Sequence, residues 1–321
     1  MGFDTSYHPV DLALVEDRLL PYIAGAGADS DLADLVARAV EIRKTRFVAK
    51  QWALGALSAA TSLGITALDS QLHVWGRPFF IVADTTDRVV EDTLRYLATP
   101  PDGVEALAHE MLARLDPALA GKVEPSTTGH LPDDAALAHE LMWRMRLLRA
   151  SGAALRAGEA TVSDPDSGRT HHPGRLMDRE VPFSVLEFAA TLHPGWMSRG
   201  YTWPTRLYAE AGLDAAEFTA PEPLFAALRD AYPGRDWFSA PTIDENYMVG
   251  GFVDAAQVQA ARARLTENRD ALLRPATAEG WADSCAVDLT KIEETLAFAA
   301  HLGFAFCEAT EIYSGFGGVM N

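Results

Sequence analysis

The sequence predicts an α+β fold, predominantly helical, with a small mixed sheet covered by helices on both faces. Three observations predict it. Long proline-free stretches carry apolar residues at helical spacing. The runs Phe79–Ala83 and Phe304-Ala305-Phe306-Cys307 show no polar alternation, as in strands covered on both faces. The opening residues do alternate, Phe3, Thr5 and Tyr7 against Asp4, Ser6 and His8, as in a half-buried strand.

Taken in order, that first strand ends at Pro9, and Asp11 caps a helix carrying Leu12, Val15, Leu19 and Leu20, stopped by Pro21 and Gly25. Ser30 opens a helical stretch that no proline interrupts through residue 63, one long helix or two abutting ones. Gln71–Trp75, a Gly76-Arg77-Pro78 turn and the strand Phe79–Ala83 follow, and Asp84 is placed to cap a helix reaching Leu97. Helices are expected near 102–115 and 132–150, separated by a loop at 117–131 rich in Gly, Pro, Ser and Thr. Turn chemistry at Asp164–Gly168 implies a hairpin over 159–172, and prolines divide 182–232 into short helices. A glycine-containing strand or loop over 247–253 precedes a helix capped by Asp254 and running to Leu273. Asp288 caps a last helix to His301, and Gly303 leads into the closing strand. Helices alternating with single strands imply some parallel pairing. The expected organisation is one globular domain over 1–321, with the 117–131 loop the place for any subdivision.

The chain has 321 residues, 48% hydrophobic and 22% charged, with a formal charge of −18. The charge is spread, −7 over residues 1–160 and −11 over 161–321, so it belongs to a folded surface rather than a tail. It excludes a nucleic-acid binder and docking on anionic lipid, and it fits a basic partner. Arginine outnumbers lysine 23 to 4, which with abundant alanine fits a GC-rich bacterial coding sequence. Cys285 and Cys307 stand alone and are expected to be buried, reduced thiols of a cytoplasmic protein. No signal segment and no apolar span of membrane length is expected.

Three sets of residues could carry chemistry. Asp84, Glu308, Asp4 and His8 lie at strand ends, where carboxylates beside apolar walls acquire the raised pKa of a general acid; these are the catalytic candidates. His171, Asp178 and His193 lie in a stretch dense in imidazole and carboxylate and are the metal candidates. Arg43, Arg46 and Lys50 form a basic cluster, expected to be a solvated helix face if not an anion site, with Arg175 as a further anion-binding candidate. His109 and His139 sit in matching Ala-Leu-Ala-His-Glu segments, but each lies about 140° from the start of its apolar stripe and should flank the core. No Gly-x-Ser-x-Gly, P-loop, His-Glu-x-x-His or dinucleotide motif occurs.

The reading that follows is an acidic cytoplasmic bacterial protein of immunity or accessory type, without cofactor, that binds a basic protein partner. The alternative is a hydrolase or lyase using a pocket carboxylate and histidine, with or without a divalent metal.

Overall fold

The computed structural model describes residues 4–65, 83, 85–199, 202–233, 235, 237, 239–246, 248–310 and 312. The predicted turn at Gly76-Arg77-Pro78, the strand Phe79–Ala83 (save Ala83) and Asp84 lie outside the described residues.

The first strand, β1 (Asp4–Val10), does not stop at Pro9. It pairs antiparallel with β6 (Ala305–Thr310) along its length, Thr5 opposite Thr310 and Val10 opposite Ala305. On its other side β4 (Trp196–Arg199) pairs only from Asp4 to Tyr7. Beyond Tyr7 no strand pairs with β1 on that side among the described residues, and a proline is tolerated there. β5 (Val249–Val253) completes the sheet in the order β4-β1-β6-β5, with a register shift between Val249 and Phe252. Every strand pair among the described residues is antiparallel, so the expected parallel pairing is not found there. From Thr5 onward β1 is buried on both faces, not one.

Helical layers cover those faces. Tyr7, Trp196, Val253 and Phe306 turn to one core, and Val10, Phe252, Ala305, Cys307 and Ala309 to the other. The first core is closed by α4 (Thr86–Leu97), α5 (Val104–Leu115), α8 (Pro204–Glu210), α11 (Val258–Glu267), α12 (Arg269–Glu279) and α13 (Ala282–Leu302). The second is closed by α1 (Leu12–Leu14), α2 (Leu20–Ile23), α6 (Asp134–Ala157), α7 (Pro173–Leu192) and α9 (Ala226–Ala231). Each fully buried aromatic, such as Tyr7, Trp196 or Phe306, contributes roughly 1.5–3 kcal/mol by leaving water.

One helix serves both cores. α3 (Ala33–Leu63) runs 31 residues, about 46 Å, and ends on Gly64 in the left-handed conformation. Its early turns bury Ala39, Val40 and Ile42 in one core, its later turns Trp52, Ala53 and Ala56 in the other. It is the single long helix that the absence of proline allowed.

Several boundaries differ from expectation for local reasons. α1 and α2 are joined by a π turn over Val15–Leu19, where the Leu20 amide donates to the Val15 carbonyl; the wide turn precedes Pro21, whose ring would crowd the carbonyl four residues back. Thr85, not Asp84, caps α4, accepting from the Arg88 amide. α7 is one helix of 20 residues with Pro182 inside it, not a series of short pieces. Asp288 lies in the middle of α13, buried and 3.2 Å from Lys291. The hairpin is present as β2 (Val162–Ser163) and β3 (Thr170–His171). The short α10 (Ile243–Asn246) precedes β5. Both thiols are buried and unpaired.

Candidate functional site

The strand-end residues do not share a cavity. Side chains alternate along a strand, so the register places Glu308 on the face of Tyr7 and His8 on the face of Cys307, on opposite sides of the sheet. Asp4 is half-buried at the start of β1, four residues or about 13 Å from His8. Glu308 is fully buried. Its carboxylate accepts from the Thr205 hydroxyl (2.6 Å) and amide (3.1 Å) and from the Ile243 amide (3.4 Å). Gly250 and Gly251 make room for it, since a Cβ would stand 2.6 Å from Oε1 at the first and 3.2 Å from Oε2 at the second. Burial pushes its pKa up to about 7, against those hydrogen bonds. The group thus knits α8, α10 and β5 to β6. His8 is buried, and neither ring nitrogen has a hydrogen-bond partner. Burial, then the charge of Arg46, pushes its pKa down to about 3, which keeps the ring neutral.

The metal candidates are separated by a helix. His171 precedes α7 and His193 caps its C-terminal end, about 30 Å away, so the two cannot ligate one ion. Asp178, in between, is held by the Arg235 guanidinium (Nε 3.1 Å). His193 stands edge-on to Phe304 with centroids 4.9 Å apart. Among the described residues no group of three His, Cys, Asp or Glu is placed to hold a metal ion.

The basic cluster is not a solvated face. Arg43 and Arg46 are buried, and Arg43 lies 3.3 Å from Glu140 of α6. Arg46 acts on His8, and Lys50 is pushed down to about 8 by burial and by Arg46. Arg175 is exposed in the first turn of α7, 12 residues or about 18 Å before Glu187, the α7 carboxylate whose charge acts on Arg43. It does not join the others. His109 and His139 flank the core as expected, His109 half exposed and His139 paired with Asp166 at 2.8 Å.

An open groove lies elsewhere among the described residues. A groove of about 630 Å³ runs between α3, the start of α5 and the loop after α5. That volume falls in the range of ligand pockets. Val104, Leu107, Ala108 and Met111 seat α5 in the core, which leaves Glu105 and His109 on its outer side at helical spacing, with Asp102 in the turn just before it. Thr45 of α3 donates to the Thr99 carbonyl at 3.0 Å and holds that end in place. The far wall is Val123–Ser126. Its Ser126 amide donates to the Gln51 carbonyl at 2.8 Å, and Gly55 allows the close approach, since a Cβ there would overlap the Glu124 carbonyl.

Trp52 lines the groove with the His109 ring edge-on to it, centroids 4.8 Å apart. Asp102, Glu105 and Glu124 are exposed around it, and its lining contains no lysine or arginine. Gln51, more than nine-tenths buried, also lines it, and its side-chain oxygen has no donor. Three exposed carboxylates around a groove without lysine or arginine are together suited to a cation. His109 and the 117–131 loop stand out in the sequence, whereas Trp52 and Gln51, some 70 residues before the loop, join the groove only through the fold. No protein-family model, curated protein or solved structure matches the chain. No helix of the described residues is long and apolar enough to cross a membrane.

Proposed function

We propose that this chain is a binding protein for a basic polypeptide, which it engages at the groove between α3, α5 and the 123–126 loop. The observation that carries the reading is a groove lined by three carboxylates and no lysine or arginine, on a protein of charge −18. A positively charged segment would be steered there and held by complementary charge. His8 and Glu308 lie on opposite faces of the sheet, so they do not form an acid–base pair there. A cytoplasmic bacterial protein of immunity or accessory type accords with the same charge.

The test is binding of a fluorescein-labelled decapeptide of alternating lysine and glycine-flanked arginine, followed by anisotropy. Affinity should fall steeply as salt is raised from about 20 to 200 mM, through the Debye screening of exposed charge. The double variant Glu105→Gln/Glu124→Gln should bind several-fold more weakly, mostly through a slower association rate. Absence of binding by the native protein at low salt, or an unchanged rate in the double variant, overturns the proposal.

A further inference from the structure

We infer that Glu308 is a buried proton-binding site, connected to the surface by the hydroxyls of Thr205 and Thr242, and that release of its proton loosens α10. The carboxyl is fully buried. The described groups that bond to it are the Thr205 hydroxyl and amide and the Ile243 and Gly251 amides, with no lysine or arginine among them. A buried carboxyl without a cation favours its neutral form. The Thr205 hydroxyl stands 2.6 Å from Glu308 Oε1 and 3.0 Å from Thr242 Oγ1, so one oxygen bridges the other two. It has a single proton to give. When Thr205 gives it to Thr242, Glu308 supplies the proton of the other bond and is neutral. When Thr242 donates to Thr205, and Thr205 to Glu308, the carboxylate is ionised. The same three oxygens hold both states without moving. Between the two, the Oε1 proton passes to Thr205 Oγ1, the Thr205 proton to Thr242 Oγ1 and the Thr242 proton to water. Thr242 is half-buried and provides the outlet, whereas Thr205 is buried.

The titratable groups that act around Glu308 are Tyr7, opposite it on β1, the neighbouring Cys307 thiol and, beyond Tyr7, Asp288 of α13; each ionises to an anion and so favours the neutral carboxyl. β5 meets it only with Gly250 and Gly251. On α8 the Arg206 guanidinium is engaged with Glu210, and on α10 Asp244 and Glu245 are exposed. Burial raises the Glu308 pKa to about 7, so the proton is lost near neutral pH. α10 is the piece placed to respond. Ile243 is its one buried residue, and the Ile243 amide and Thr242 hydroxyl tie it to Glu308 and Thr205. Opening α10 hydrates the carboxyl and returns it towards its ordinary pKa of 4.5. Opening is therefore linked to proton release, easier as the pH rises from about 4.5 to 7 and level above that.

The experiment follows the native protein beside Glu308→Gln, Thr205→Val and Thr205→Ser. The infrared carbonyl stretch of a protonated carboxyl lies above the amide bands. It should include a component that fades around pH 7 and is missing in Glu308→Gln. Hydrogen exchange of residues 242–246, corrected for the intrinsic rate at each pH, should show protection falling roughly tenfold or more between pH 5 and 7, and staying level in Glu308→Gln. After a pH jump the carboxyl band of Thr205→Val should respond only as fast as α10 opens, while Thr205→Ser, which keeps the hydroxyl, responds as fast as the native protein. Thr242→Val cuts the same path one step further out if Thr205→Val does not fold. A native spectrum without such a band, or a band unchanged in Glu308→Gln, overturns the proton site. Constant protection of 242–246, or an equal fall in α6 that marks global unfolding, overturns the loosening of α10. A response in the valine variant as fast as the native one overturns the hydroxyl path.

Discussion

Two buried residues, Glu308 and His8, set opposing dependences of stability on pH. Glu308 has its folded pKa raised from 4.5 to about 7. Its contribution is therefore complete below about pH 4.5 and is lost as the pH rises through 7, where the buried carboxyl must ionise. His8 has its folded pKa lowered from 6.5 to about 3. Its contribution is complete above about pH 6.5 and is lost as the pH falls towards 3, because the unfolded imidazole gains a proton that the folded one refuses. Between pH 4.5 and 6.5 the two slopes oppose each other. Glu308→Gln should remove one of them, so that urea midpoints measured from pH 4.5 to 6.5 rise more steeply with pH than the native protein's. A variant whose midpoint curve parallels the native one would show that Glu308 titrates alike in the folded and unfolded states. Neither residue's role was legible in sequence. Glu308 reads as a strand-end acid, and only the glycine pair opposite it and the Thr205 hydroxyl reveal a carboxyl packed into a sheet.

At the scale of elements, helices with long apolar periodicity were legible, and their ends less so. α3 and α5 follow from spacing alone, as do the hairpin and the last strand, because local pattern and tertiary environment agree there. The expected breaks at Pro182 and Asp288 fail because packing outweighs propensity. Met177, Val181, Val185 and Phe188 bury one side of α7 through its proline, and Lys291 lies beside Asp288 one turn later. β4 was missed because its four residues carry too little pattern to distinguish a strand from a loop. Gly55 shows the same limit: in sequence it only weakens a helix, whereas in the fold it lets the 123–126 loop lie on α3. Gly55→Ala should lift that loop, lower stability by about 1–3 kcal/mol through overpacking and reduce peptide affinity at the groove. The loss of affinity should exceed that of Gly64→Ala, a control that strains the left-handed backbone at the helix end but sets its Cβ against nothing within 4 Å. Equal peptide affinities in the two variants would show that the loop position does not matter to the site.

For the whole molecule, the composition reading of an acidic, helix-rich α+β chain stands, but the groove was beyond its reach. Its walls come from residues 48–52, 101–109 and 123–126, brought together only by the packing of α5 and its following loop on α3. The sheet has the same character, with Tyr7 opposite Glu308 at its centre. Covered on both faces and paired on both edges near Tyr7, β1 and β6 should hold the slowest-exchanging amides of the chain. Hydrogen exchange followed by mass spectrometry should show protection of 5–9 and 305–310 lost only on global unfolding. Faster exchange there than in α6 would place the stable nucleus in the helices instead. The separation of the two strands also bears on synthesis. β1 leaves the ribosome nearly 300 residues before β6 exists. At about 5–20 residues per second it waits roughly 15 to 60 seconds for its main partner, an unpaired edge that a chaperone, or the helices made in the meantime, must shield.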